Sequence, residues 1–286
     1  KTWGRWGTGD NKGASNLITP EKVLSATRLV RSGTVVSLAA PEPQVAAEDV
    51  NENGLFNRTT LRITDGGTAD NYQVSYHGLT VAHMDSWCHF FENGQMYNGI
   101  PVEGNLNEEE GCKQGSIMNW KDGIATRAVL YDIAQLRGVE WVDPNEPVTR
   151  ADLEAWEEMS GVKAGPGDVV LLYIGRWKRR AAEGAWRGQV AGYYADTIPW
   201  MYERMPAFLG HDFNIDWNPR PGWEGMRNPV HIAALNWMGI NIVECLDLEE
   251  AAATARRLNQ YEFMITFAPL PVEGGTGSPL NPLAIF

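Results

Sequence analysis

The stretch His77-Gly78-Leu79-Thr80-Val81-Ala82-His83-Met84-Asp85-Ser86-Trp87-Cys88-His89 holds three of the five histidines of the chain, with Asp85 among them. Random scatter would rarely crowd them so. Imidazole and carboxylate together suit zinc, manganese or iron(II). Side chains two apart on a strand share a face, with backbones about 6.6 Å apart, so His83 and Asp85 converge on one ion. The same rise separates His77 from His83 by roughly 20 Å in an extended chain. His77 therefore joins only through a bend, for which Gly78 has the conformational freedom. His89 needs a second bend, across Ser86-Trp87-Cys88. An isolated His-x-Asp pair most often makes a local hydrogen bond. The neighbouring histidines and a second polar centre downstream shift the balance toward metal.

That second centre begins at Pro229-Val230-His231-Ile232-Ala233-Ala234-Leu235. A helix is expected over 229–238, ended by Gly239, with a strand over 240–246. His231 then lies near a helix start and Glu244 toward the end of an apolar strand. A buried carboxylate is costly unless paired or metal-bound. The plainer alternative is an ion pair between Glu244 and Arg256 or Arg257. His211-Asp212 reads as loop structure, or as a carboxylate backing a ligand from behind.

Outward from these centres, helices alternate with apolar strands. Thr19-Pro20-Glu21 opens a helix expected to run to Arg31, before Gly33. Thr149-Arg150-Ala151-Asp152 has capping-box spacing and opens another that closes near Gly161. Further helices are expected over 197–205 and from Leu248 to Leu258. Strands are expected over 35–38, 59–64, 72–76, 128–133, 169–174 and 261–268, with Asp65-Gly66-Gly67 turning between the second and third. The alternation argues an α/β fold. Gly274-Gly275-Thr276-Gly277-Ser278-Pro279 lacks the Lys-Ser/Thr of a phosphate loop and reads as an ordered loop lining the site.

The 286 residues, 43% hydrophobic and 21% charged, supply an ample core. With 24 Lys+Arg against 36 Asp+Glu, a net of −12, the chain lacks the basic face that phosphate binding needs, so no nucleic-acid partner is expected. No apolar run reaches the roughly 18 residues of a membrane helix, and Lys1-Thr2-Trp3-Gly4-Arg5-Trp6 lacks a signal-peptide core. Cys88, Cys112 and Cys245 are odd in number and show no CxxC spacing, so they read as reduced thiols of a cytoplasmic protein. Cys88 is a poor nucleophile partner for His89, because adjacent residues on an extended chain face opposite ways.

The segment His83-Met84-Asp85-Ser86-Trp87-Cys88-His89 resembles the metal motif of the cyclase-like metal-dependent hydrolases. That family includes bacterial kynurenine formamidase, isatin hydrolase, cyclic imide hydrolases and a dienelactone hydrolase, and its motif runs His-x-Gly-Thr-His-x-Asp-x-Pro-x-His. The resemblance continues through Gly167-Asp168-Val169-Val170-Leu171-Leu172, Leu209-Gly210-His211-Asp212, His231 with Glu244, and Ala268-Pro269-Leu270 with Gly274–Pro279. It implies a swivelling β/β/α fold, an α/β mixed sheet with flanking helices, in a single domain over 1–286 that assembles as a homodimer or homotetramer.

Carried over by position, His83 and Asp85 match family metal ligands, and His231 with Glu244 completes the site, or a second ion's site in two-metal members. His89 matches the acid/base histidine. The family's first histidine falls on Leu79, and His77, two residues early, is the nearest substitute as a ligand. Ser86-Trp87 replaces the usual Ala-Pro. Family substrates therefore transfer poorly. The implied reaction is hydrolysis of an amide, cyclic amide or imide, or lactone bond in a small aromatic substrate. The cofactor would be zinc or manganese, one ion or two, lowering the pKa of water toward roughly 7, while His89 moves the proton. Trp87, Phe90 and Tyr97 flank the motif and are the expected substrate wall, although packing is the commoner role of such residues.

Two other classes fit parts of the pattern. His83-x-Asp85 with His231 also spells the facial triad of a non-haem iron oxygenase. That reading lacks a basic residue between His231 and Arg256 and prefers an all-β barrel. A non-catalytic relative that binds a small ligand would account for Leu79.

Overall fold

The computed structural model describes residues 1–50, 55–217, 222 and 225–286. In chain order its strands are β1 (Val35–Ser37), β2 (Asn57–Thr64), β3 (Gly67–Gln73), β4 (His83–Asp85), β5 (Leu106–Asn107), β6 (Gly111–Cys112) and β7 (Ile124–Asp132). There follow β8 (Val169–Tyr173), β9 (Phe208–His211), β10 (Asn241–Glu244), β11 (Glu262–Phe267), β12 (Gly277–Pro279) and β13 (Leu283–Ile285). Nine of them form one sheet in the order β1-β13-β11-β7-β8-β9-β10-β4-β12. The four central neighbours, β7 to β10, run parallel. All five residues of β8 are buried, as in a strand covered on both faces. Antiparallel strands flank the parallel core on both sides. This is the mixed α/β fold expected, and it counts, as the helix count does, against the all-β barrel that the oxygenase reading prefers.

The helices are α1 (Pro20–Thr27), α2 (Ile133–Arg137), α3 (Arg150–Ser160), α4 (Arg176–Glu183), α5 (Ile198–Arg204), α6 (Pro229–His231) and α7 (Glu249–Leu258). The capping box at Thr149 and Asp152 forms in both directions, and Gly161 closes α3 with a left-handed backbone. Several boundaries move: the strand expected over 128–133 begins at Ile124 and that over 240–246 shortens to Asn241–Glu244. Helix α1 stops at Thr27 and not at Arg31, because the amides of Arg28 and Leu29 bond to carbonyls three residues back and tighten the last turn. The turn between β2 and β3 takes only Asp65 and Gly66, since Thr64 pairs with Gly67, so the second strand lies earlier than 72–76. The helix over 229–238 divides into α6 and a π-helical stretch, Ile232–Met238.

The cysteine reading is corrected. Cys88 and Cys112 form a disulfide, and Cys245 is free and buried. An odd count and absent CxxC spacing say nothing about cysteines that loops bring together. Here the Cys112 amide bonds to the Gly274 carbonyl at 2.8 Å, drawing β6 in beside the turn that follows β4. Among the described residues no helix is long and apolar enough to cross a membrane.

Candidate metal centre

Strand β4 lies between β10 and β12, with His83 opposite Glu244 on one side and Pro279 on the other. His83, Asp85, His231 and Glu244 are all buried. Asp85 is the hub. Four imidazole nitrogens face its carboxylate: His77 Nδ1 at 3.1 Å, His83 Nε2 at 3.7 Å, His89 Nε2 at 3.9 Å and His231 Nε2 at 4.0 Å. His231 Nε2 also stands 3.3 Å from Glu244 Oε1. Every residue the sequence offered as a ligand or proton carrier is brought to this one place.

Both bends occur. His77 and His89 stack face to face, with centroids 3.9 Å apart and planes 5° from parallel. His77 lies 5.4 Å from the His83 ring, far less than an extended chain would allow. Its Nε2 also meets Thr276 Oγ1 at 3.3 Å, so the glycine-rich loop does line the site. On β12, a Cβ at Gly277 would come within 2.6 Å of the Met84 carbonyl and 2.8 Å of His77 Cε1. Only glycine lets this strand pass. The His89 turn is held by its own amide on Ser86 O at 3.1 Å, and by Ser86 N on Thr276 O at 2.9 Å.

Two partners aim the rings. His83 Nδ1 meets the Val81 carbonyl at 2.7 Å, which places the proton on Nδ1 and turns Nε2 toward Asp85. His231 Nδ1 meets Asp216 Oδ2 at 2.5 Å, and Asp216 also accepts the amides of Val230 and His231 at 2.8 and 3.1 Å. Sequence reasoning missed Asp216. A carboxylate fifteen positions before the histidine it orients leaves no local signal, and only the need of a ligating histidine for a partner on its other nitrogen would have prompted the search.

The electrostatics separate the groups. Burial pushes Asp85 up, but the charges of His89, His83 and His77 and the contact with His77 hold it below the usual carboxylate range. Burial pulls His89 down to about 4, against the attraction of Asp85 and with the repulsion of its neighbouring imidazoles. Burial opposes the charge on His231, yet Glu244 and Asp216 raise its pKa well above the ordinary value. Neither oxygen of Asp85 accepts a well-formed hydrogen bond, although the residue is 1% exposed. A buried carboxylate in that state is costly, and a cation between it and the imidazoles would offset the cost. The donor atoms of His77, Asp85 and His89, and those of His83, Asp85 and Glu244, each lie within 4.8 Å of one another. Nitrogen and carboxylate oxygen in these numbers fit zinc, manganese or iron(II).

A cavity of about 410 Å³ opens over the cluster, lined by the site histidines, Phe90, Arg187, Asn214, Asn228 and Glu244. Of the expected substrate wall only Phe90 faces it, with its ring 4.5 Å from His231 and 4.8 Å from His89. Trp87 and Tyr97 are corrected to core residues. Both are fully buried, 4.4 Å apart, with Trp87 edge-on to Trp120. Strand β4 ends at Asp85, so the alternation that would keep Trp87 on the site face ends there too. The Arg256 alternative for Glu244 also fails: Arg256 is bidentate to Asp132, while Glu244 Oε1 accepts the Ile215 amide at 2.6 Å. His211 closes β9, whereas Asp212 follows it in a bend, as the loop reading has it. Both are buried where β9 ends, and Asp212 Oδ2 accepts the amides of Ile174, Gly175 and Arg176 at 3.0–3.2 Å.

A mixed α/β fold with a histidine-carboxylate cluster at the ends of adjacent strands defines a protein built around a candidate metal centre. Residues 44–217 match the family model Cyclase, described as "Putative cyclase", and the chain belongs to that family. A solved structure described as a novel cyclase is 29% identical, covering 100% of this chain and 97% of its own, with a TM-score of 0.87. Isatin hydrolase A from Labrenzia aggregata is 20% identical over 92% of this chain and 97% of its own, with a TM-score of 0.63. Isatin hydrolase A from Ralstonia solanacearum is 22% identical over 93% and 97%, with a TM-score of 0.59. A comparison with curated proteins finds no match.

The Asp216 contacts carry a prediction. Asp216→Ala would free the His231 ring and strand two buried amides, lowering affinity for an added divalent ion roughly 10- to 100-fold. Thermal melting and zinc titration of the stripped protein check it. Unchanged ion affinity in a folded variant would show that Asp216 does not orient a ligand.

Proposed function

We propose that this chain is a metal-dependent hydrolase that cleaves an amide, cyclic amide or imide, or lactone bond of a small substrate in the cavity over Asp85. The carrying observation is the convergence of four imidazoles and Glu244 on a buried carboxylate that lacks well-formed hydrogen bonds. The isatin hydrolases with which the fold is shared support the reaction class. His83, Asp85, His231 and Glu244 would hold one ion, and His77 with Asp85 would hold a second or complete the first. A bound zinc or manganese ion supplies a Lewis acid and lowers the pKa of water.

The chain's own residues do the rest. His89 lines the cavity and, with its pKa drawn down, is neutral at neutral pH, so Nε2 can take a proton from water. The same nitrogen then returns that proton to the departing nitrogen or oxygen. Stacking on His77 and the edge contact with Phe90 keep the ring from turning away. Phe90 offers one apolar wall, while Arg187, Asn214 and Asn228 offer polar contacts to the substrate's oxygens. With Trp87 and Tyr97 in the core, an aromatic sandwich is no part of this reading.

The test is acid release from an aryl formamide, a cyclic imide and an aromatic lactone, before and after chelation. Turnover of at least one, lost on stripping and restored by zinc or manganese, is expected. Full activity in the stripped protein, or no turnover of any bond in these classes, would overturn the reading.

A further inference from the structure

The segment that delivers His77 to Asp85 is tied down at two successive carbonyls. The Gly78 carbonyl accepts the Cys245 thiol, with Sγ 3.3 Å away. The Leu79 carbonyl accepts Nη2 of Arg176 at 2.6 Å. Arg176 is the first residue of α4, its side chain wholly buried. Its guanidinium lies 4.0 Å from the Trp177 ring and 4.3 Å from that of Phe213. Nη2 also donates to Asp49 at 3.0 Å, and the backbone amide of Arg176 is fixed on Asp212 at 3.1 Å. A side chain so restrained at both ends is a rigid strut. The carbonyl it grips lies two residues beyond His77, where the chain departs from extended geometry.

We infer that Arg176, assisted by Cys245, is a positioning residue that holds the bend at Gly78 and Leu79 and thereby makes His77 a ligand of the Asp85 centre. The inference rests on the reading of that cluster as a metal centre. Charge neutralisation of Asp49 does not account for Arg176, because Arg180 already binds the same carboxylate through Nε at 2.6 Å and Nη2 at 3.0 Å. For that reason Arg176→Met leaves Asp49 paired, Asp212 keeps its three backbone amides, and the variant is expected to fold.

The full chain is stripped of metal and titrated with zinc, with thermal melts to confirm folding. His77→Ala and Arg176→Met are each expected to weaken zinc binding roughly 10- to 100-fold. Combined, they should bind no more weakly than His77→Ala alone, since both remove the same ligand. Arg176→Lys, which keeps a donor without the guanidinium fork, should fall between parent and Arg176→Met. A folded Arg176→Met protein with parental zinc affinity, or a double variant showing the product of the two losses, overturns the inference. If Arg176→Met does not fold, Cys245→Ala carries the test. A several-fold loss that vanishes in the His77→Ala background supports the inference, and parental affinity overturns it. A parent chain that binds neither zinc nor manganese would overturn the metal-centre reading itself, and this inference with it.

Discussion

His89→Ala is expected to lower kcat by roughly 10²- to 10⁴-fold while the protein keeps its bound metal. The His83, Asp85 and Glu244 donors do not involve His89, so an ion held there survives the substitution. What is lost is the nitrogen that carries a proton between water and leaving group. KM should change far less than kcat, because Phe90 and the polar lining of the cavity remain. The opposing outcome is informative. His89 also falls within 4.8 Å of His77 and Asp85 donor atoms. If metal content and activity fall together, and added zinc restores both, His89 is a ligand and another group must move the proton. Element analysis beside steady-state kinetics separates the two.

Asp85→Ala is expected to abolish metal binding and reduce hydrolysis to background. Asp85 belongs to both sets of donors, whereas Glu244 and His77 each belong to one. Glu244→Ala should therefore leave some capacity for an ion at His77, Asp85 and His89. Removing Asp85 takes the shared oxygen donor from both sets at once. Metal content by element analysis checks the contrast. An Asp85→Ala protein that retains a full complement of metal would show that the centre lies elsewhere.

Much of this was legible in sequence where the relevant geometry is local. The period of a strand puts His83 and Asp85 on one face, and that pairing holds. The apolar runs at 128–133 and 169–174 declared strands, and Thr149 with Asp152 declared a helix start, because capping is decided within three residues. Where the controlling contact is distant, inference from spacing stopped. The bend after His77 depends on Arg176 and Cys245, far along the chain, so Gly78 could only permit it. The orientation of His231 depends on Asp216. Nearness in sequence misled for Trp87 and Tyr97, which flank the motif but turn into the core once β4 ends. The disulfide between Cys88 and Cys112 likewise depends on how the 105–112 hairpin packs against the glycine-rich loop.

Strand β4 is only three residues long and takes its partners from residues 241–244 and 277–279. Contacts of such sequence separation are costly in loop-closure entropy and form late. The hub carboxylate thus waits for β10 and β12, both far downstream of β4, before its surroundings exist. A growing polypeptide would carry its histidines unassembled until those two strands had been made. Capture of a divalent ion at Asp85 would then follow the docking of β12 on β4.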